Sequence, residues 1–212
     1  MPTNRSYQDA CGIARALDVV GERRALLIVR ELLFGPQRFS DLRQALPGAS
    51  SNLVADRLRE LTGRGVVSRR HLAPPAASQV YELTEWGREL EPIVLALGNW
   101  GIRAPMPDGP TTLSATSVLI YLRTAARLDP KAAPADYRFE MDGRVWTIRT
   151  GNGRVHVEAG EPAHPVAGLR TDPKTLSALL ETPSLLDDAR AEVSGDRPAL
   201  LRLLRSVTAP HR

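Results

Sequence analysis

Side chains able to do covalent or metal chemistry are few and scattered along these 212 residues. The four histidines, His71, His156, His164 and His211, share no metal-ligand spacing with one another or with Cys11, the single cysteine. Asp187 and Asp188 fall in a polar helix and read as solvated surface, and no glycine-rich loop follows a strand to cradle a phosphate. No catalysis, metal or cofactor is therefore expected. Cationic and amide groups are grouped instead. Ser51, Asn52, Ala55 and Arg59 share one stretch, followed by Arg64, Arg69, Arg70 and His71, with Arg38 and Ser40 upstream. Guanidinium groups pair with phosphate or fork onto guanine, and amides read base edges, so the chemistry on offer is that of double-stranded DNA recognition.

The elements that must carry these groups follow from periodicity. Val54, Leu58 and Leu61 recur at i, i+4, i+7, which predicts a helix from Ser51 to Thr62, capped by Ser50 or Ser51, with Asn52, Ala55, Asp56 and Arg59 on the opposite face. Before it, a short helix is expected over Phe39–Arg43 with Ser40 as N-cap, and before that an apolar helix through Ala25, Ile28, Val29 and Leu32, stopped by Gly35-Pro36. After Gly63 and Gly65 the pattern changes to two strands, 66–72 and 79–83, joined by Pro74-Pro75-Ala76-Ala77-Ser78. Thr84 caps a further helix expected from Glu85 to Trp100. Helix, turn, helix and a basic hairpin in this order make a winged helix-turn-helix.

At these motifs the chain resembles the HxlR family of bacterial winged-helix transcription regulators. The resemblance rests on Cys11 ahead of Arg15-Ala16-Leu17, on Leu26-Leu27-Ile28-Val29-Arg30-Glu31-Leu32, on Arg38-Phe39-Ser40-Asp41-Leu42, on Leu58-Arg59-Glu60-Leu61, on Gly65-Val66-Val67, and on Tyr81-Glu82-Leu83-Thr84-Glu85-Trp86-Gly87. It spans residues 8 to about 102 and implies a homodimer, joined through the first helix and the helix after the wing, on a pseudo-palindromic operator. It also implies that Cys11 can act as a thiol switch. The residues themselves equally allow Cys11 to be a small buried side chain beside Ile13 and Leu17. Arg23-Arg24 replaces a tryptophan usual in the family, and Ala55-Asp56 stands where a hydroxyl and a cationic or amide residue are more frequent. Asp56 would repel any phosphate it faced.

The formal charge of +4 divides unevenly: 14 cationic against 11 acidic residues in 1–103, and 14 against 13 in the remainder. This excess is small, so affinity for DNA must depend on where the charges sit. No apolar run reaches the roughly 18 to 20 residues that a bilayer crossing needs, and no charged leader precedes an apolar run, so a cytoplasmic protein without membrane insertion is expected.

Ala104-Pro105-Met106-Pro107-Asp108-Gly109-Pro110 forbids helix and opens a linker over 104–112, separating a DNA-binding and dimerisation domain (1–103) from a second domain (113–212). The second begins with a helix over Ser114–Arg127. Strands follow at 137–141, 145–148 and 155–158, joined through Asp142-Gly143 and Gly151-Asn152-Gly153, with a fourth near 166–170. A helix from Asp172-Pro173, a short helix over Leu185–Ala189, a strand at 191–194 and a final helix after Gly195-Asp196 complete an α+β order. This order, with Thr171-Asp172 and Gly195-Asp196-Arg197-Pro198-Ala199-Leu200, is similar to sterol carrier protein 2-like domains, an α/β sandwich whose apolar tunnel accepts lipophilic molecules. Leu119, Leu122, Phe139, Met141, Trp146, Ile148 and Leu180 are the tunnel candidates. A filled core, or a dimerisation role, accounts for the same residues.

The expected protein is a dimeric DNA-binding regulator that responds to a lipophilic effector. The alternatives are a redox sensor acting through Cys11 and a lipid carrier.

Overall fold

The computed structural model describes residues 6–72, 78–109, 111–187 and 190–207. The loop residues Pro74, Pro75, Ala76 and Ala77, linker residue Pro110, Asp188, Ala189 and His211 lie outside the described residues. The chain divides into two compact units, Met1–Thr112 and Leu113–Arg212.

In the first unit, α1 (Gly12–Val20) buries Val20 but leaves Ile13 and Leu17 in solvent. Helix α2 (Ala25–Leu32) supplies the centre of the core, with Ile28, Val29 and Leu32 at most 2% exposed. After β1 (Gln37–Arg38) comes α3 (Phe39–Ala45), which adds Leu42. Helix α4 (Ser51–Gly63) turns Val54, Leu58 and Leu61 onto the same core, as the spacing predicts. Burying each such side chain stabilises the fold by about 1.5–3 kcal/mol. Ser50 caps α4, its Oγ accepting the Leu53 N–H at 3.2 Å.

Strands β2 (Val67–His71) and β3 (Gln79–Leu83) pair antiparallel from Val67↔Leu83 to His71↔Gln79, and β1 joins the far side of β3. The base of this hairpin is set by Thr84 and Gly87. Thr84 Oγ1 donates to the Gly65 carbonyl at 2.7 Å and accepts the Gly87 N–H at 3.0 Å. A Cβ on Gly87 would meet the Val66 carbonyl oxygen at 2.1 Å, so no larger residue fits there.

Two local expectations are corrected. Ser40 is not the cap of α3: the helix starts at Phe39, and Asp41 reaches back to accept the Arg38 N–H at 3.1 Å. The helix expected over Glu85–Trp100 is two pieces, α5 (Glu85–Arg88) and α6 (Glu91–Gly101). Pro92 has no N–H to give the preceding turn, and Glu89 and Leu90 close instead with i→i−3 bonds to Trp86 and Gly87.

In the second unit, α7 (Ala115–Ala125) precedes β4 (Ala135–Met141), β5 (Arg144–Gly151) and β6 (Arg154–Ala159). Asp142-Gly143 and Asn152-Gly153 make the tight turns with φ between 51° and 73°, which these residue types tolerate. Then β7 (Ala167–Arg170), α8 (Pro173–Glu181), a 3-10 turn (Pro183–Asp187), β8 (Glu192–Gly195) and α9 (Arg197–Arg205) follow. The sheet order is β6-β5-β4-β7-β8, and β7 lies parallel to β4. Tyr137, Phe139, Met141, Trp146 and Ile148 face the core with Leu residues of the helices. Among the described residues no helix is long and apolar enough to cross a membrane.

Candidate nucleic-acid interface

The groups expected to meet DNA sit on three adjoining pieces of the first unit. On α4, Asn52 and Arg59 are exposed and Ser51 and Ala55 half-buried, on the side away from Val54, Leu58 and Leu61. The first turn of α4 presents free backbone N–H groups and the positive end of the helix dipole, which favour phosphate. Arg43, absent from the sequence-level set, stands there too: its Nη1 donates to Ser51 Oγ at 3.1 Å. Its proximity follows from the α3–α4 turn, whose carbonyl at Gly48 is held by Arg24 Nη2 at 2.8 Å.

Asp56 does not face solvent as a lone carboxylate. It forms an ion pair with Arg59 one turn later on the helix, so its charge is compensated and the guanidinium is held against the helix.

On the hairpin, β2 is an edge strand, and Arg69, Arg70 and His71 are all exposed. Alternation sends the two arginines to opposite faces, and they acquire different partners. Arg70 is bound by both oxygens of Glu82, at 3.0 and 3.2 Å, so its charge is already answered. Arg69 donates to Gln79 Oε1 at 2.8 Å and lies over the Tyr81 ring at 5.8 Å, which orients the guanidinium without cancelling its charge. Arg64 is exposed at the end of α4, and Ser40 at the start of α3. Arg38 donates through Nε to Ser78 Oγ at 3.0 Å. Arg57, by contrast, is spent on Glu22 and Glu60 and is structural.

A family model described as HxlR-like helix-turn-helix matches residues 19–108. The HTH-type transcriptional regulator YybR of Bacillus subtilis, itself uncharacterized, is 35% identical over 96 residues, which are 44% of this chain and 75% of YybR. A second B. subtilis HTH-type regulator, YvaP, is 38% identical over 86 residues, 41% of this chain and 80% of YvaP. The chain belongs to the HxlR-like helix-turn-helix family. It is thus a DNA-binding transcriptional regulator of winged-helix type, and its function is binding rather than catalysis. The lipid-carrier alternative gives way to this assignment as the role of the first unit.

Cys11 of this HxlR-family chain is exposed, not buried beside Ile13 and Leu17, because those residues themselves point outward on α1. The N–H groups of Ile13 and Ala14, at the start of α1, favour its thiolate and lower its pKa below that of an ordinary thiol. A groove of about 380 Å³ runs between α1 and the α5–α6 segment, lined by Ala16, Val19, Trp86, Leu90 and Ile93 among others.

The seven tunnel candidates of the second unit are brought together, but as packing: Leu119, Leu122, Phe139, Met141, Trp146, Ile148 and Leu180 are each 2% exposed or less. None of them lines the open cleft of about 640 Å³ at the end of the sheet. Among the described residues no group of three or more His, Cys, Asp and Glu is placed to hold a metal ion.

Proposed function

We propose that the chain acts as a homodimer on a pseudo-palindromic operator in the cytoplasm, with the N-terminal turn and exposed face of α4 in the major groove and the β2 edge on the flanking backbone. Asn52 and Arg59 would read base edges. Ser51, Arg38, Ser40, Arg64, Arg69, Arg70 and His71 would hold phosphates, and Ala55 would leave room for the approach. The observation that carries this reading is the joint display, on one helix-turn-helix unit, of an uncompensated Arg69 on the wing and an exposed polar face on α4.

A second feature supports the dimer. Ile13 and Leu17 on α1 and Ile93, Leu97 and Trp100 on α6 are 44–74% exposed, an apolar surface of the kind that marks an interface.

The test is a mobility shift on duplexes selected from a random library, repeated across salt concentrations. Arg69→Ala is expected to weaken every duplex alike and to reduce the salt slope by about 1, with Arg70→Ala weaker in effect because Glu82 already holds that side chain. Equal binding by wild type and an Arg69→Ala/Arg70→Ala double variant at all salt concentrations would remove the wing from the interface.

The second unit is proposed to be a sterol carrier protein 2-like effector domain. A ligand there shifts operator affinity only by binding the competent and incompetent states unequally, a coupling of about 1–3 kcal/mol in typical cases. Exposure of Cys11 and the lowered pKa of its thiol favour a further control by oxidation or alkylation. The thiol should be alkylated with a half-maximal rate at a pH below that of an unstructured cysteine peptide. Cys11→Ser should abolish any change of operator binding on treatment with oxidant; an unchanged response in that variant would place the sensor elsewhere.

A further inference from the structure

The cleft at the end of the five-stranded sheet has walls from α9 and from the segment after α7, over a floor that includes Tyr137 of β4. The two walls are tied at one end, where Ala126 and Val207 form a β-bridge and the Arg127 N–H donates to the Ser206 carbonyl at 2.7 Å. Leu128 and Pro134 give it apolar sides, with the buried Leu203 behind them, and Arg127, Arg202 and Arg205 bring three positive charges against the two negative charges of Asp129 and Asp196.

Both acids are engaged locally. Asp129 Oδ1 accepts the Lys131 N–H at 2.8 Å. Asp196 Oδ1 caps α9 by accepting the Ala199 N–H at 2.9 Å, while its Oδ2 stands 3.9 Å from Arg202 Nη2, too far for a hydrogen bond. Among the described residues no carboxylate pairs with Arg205. Arg202 and Arg205 are exposed and lie one turn apart on α9, so both present to the same face.

Tyr137 adds a polar group at the bottom. Its ring is buried and its hydroxyl donates to the Ala199 carbonyl at 3.5 Å, the outer limit of a hydrogen bond. Burial, offset in part by Arg202 and reinforced by Asp196, raises its pKa and keeps that proton in place.

We infer that this cleft binds a compact organic monocarboxylate, its charge between Arg202 and Arg205 and its body against Leu128 and Pro134. The size is within the usual range for small-molecule sites, roughly 300–1,000 Å³. One net positive charge on the rim suits a monoanion better than a dianion. A long acyl chain is disfavoured, because Phe139, Met141, Trp146 and Ile148, the core side chains of the same sheet, are at most 1% exposed and line no part of the cleft. The inference deepens the effector-domain reading by naming its ligand class, and its role at the operator rests on that reading.

Calorimetric titration of the full chain with 2-naphthoate and with its neutral isostere 2-naphthamide tests it. One naphthoate per chain is expected, with naphthamide at least ten-fold weaker. The variant Arg202→Gln/Arg205→Gln should bind naphthoate at least ten-fold more weakly with an unchanged circular dichroism spectrum, while Arg154→Gln, on β6 and outside the cleft lining, should bind as wild type. Equal affinity for acid and amide, indifference to the double substitution, or no binding of either compound at millimolar concentration would overturn the inference. Operator binding measured alongside separates the failures. A chain that binds its duplex but no naphthoate loses this site and keeps the regulator. One that binds naphthoate with unmoved operator affinity keeps the site and loses the effector role.

Discussion

In the N-terminal unit Ile13, Leu17, Trp86, Ile93, Leu97 and Trp100 remain 44–74% exposed, whereas the large apolar residues left exposed in the C-terminal unit, Leu113, Val166 and Leu185, lie between 38 and 42%. The outer face of the second unit's sheet is closed with charge instead. Arg149 bridges Asp136 and Glu158 at 2.9 and 3.2 Å, and Arg138 spans Glu161 and Glu140 at 2.8 Å each. Both carboxylate partners of Arg138 raise its pKa, by hydrogen bonds first, and the same contact lowers that of Glu161. A five-stranded sheet covered by helices on one face has enough surface of its own to complete a core. The smaller first unit, short helices with one hairpin, does not, and the apolar remainder on α1 and α6 is what a second subunit would cover.

The sharpest way to break this contrast is to open the second core. Phe139→Ala should cost about 3–5 kcal/mol, a large share of the total of 5–15 kcal/mol typical of a domain. Denaturation followed by the loss of sheet signal should show it, with duplex binding by the first unit retained. If the variant melts as wild type does, the second core is not close-packed around that ring. Next in size, Ile93→Asp with Leu97→Asp should weaken self-association at least ten-fold in sedimentation, about 1.4 kcal/mol or more, without loss of helical signal because both side chains are already exposed in the isolated unit. A variant that still sediments as a dimer would move the interface off α6.

The smallest effect belongs to a cap. Asp172 caps α8 through the N–H groups of Lys174 and Thr175 at 2.9 and 3.0 Å. Burial alone would raise its pKa, but hydrogen bonds from the Thr175 hydroxyl and from these amides outweigh burial and lower it. Asp172→Ala should therefore cost about 1 kcal/mol at neutral pH. A depressed folded-state pKa means that this stability is present in full above the ordinary aspartate value, about 4, and is lost as pH falls through the folded value. Urea midpoints of wild type and variant should therefore converge in strong acid; a gap that stays constant would show that the carboxylate's charge contributes nothing.

Much of the DNA-facing half was legible because its determinants are local. Val54, Leu58 and Leu61 share a face by helical spacing alone, Thr84 and Ser50 are caps by residue type, and the stop after Gly63 needs only glycine. Pro92 was equally readable as a break in the helix after the wing, and the apolar run around it concealed that. The different positions of Arg69 and Arg70 were not readable. Which of two adjacent arginines meets a carboxylate depends on the cross-strand register that sets Arg70 beside Glu82. Cys11 likewise has no local signal for exposure, since α1 turns its apolar side away from its own core.

What the sequence determined by itself is the core-facing helices α2 and α4, the two tight turns at Asp142-Gly143 and Asn152-Gly153, and the caps at Ser50 and Thr84, because each depends on residues within one turn or one hairpin. Tertiary structure alone decided that β7 returns to run parallel beside β4. It alone left a charged cleft at the sheet end that none of the buried tunnel candidates lines. Those outcomes depend on contacts between residues tens of positions apart, for which the free energy comes from close packing and charge pairing in three dimensions and leaves no period along the chain.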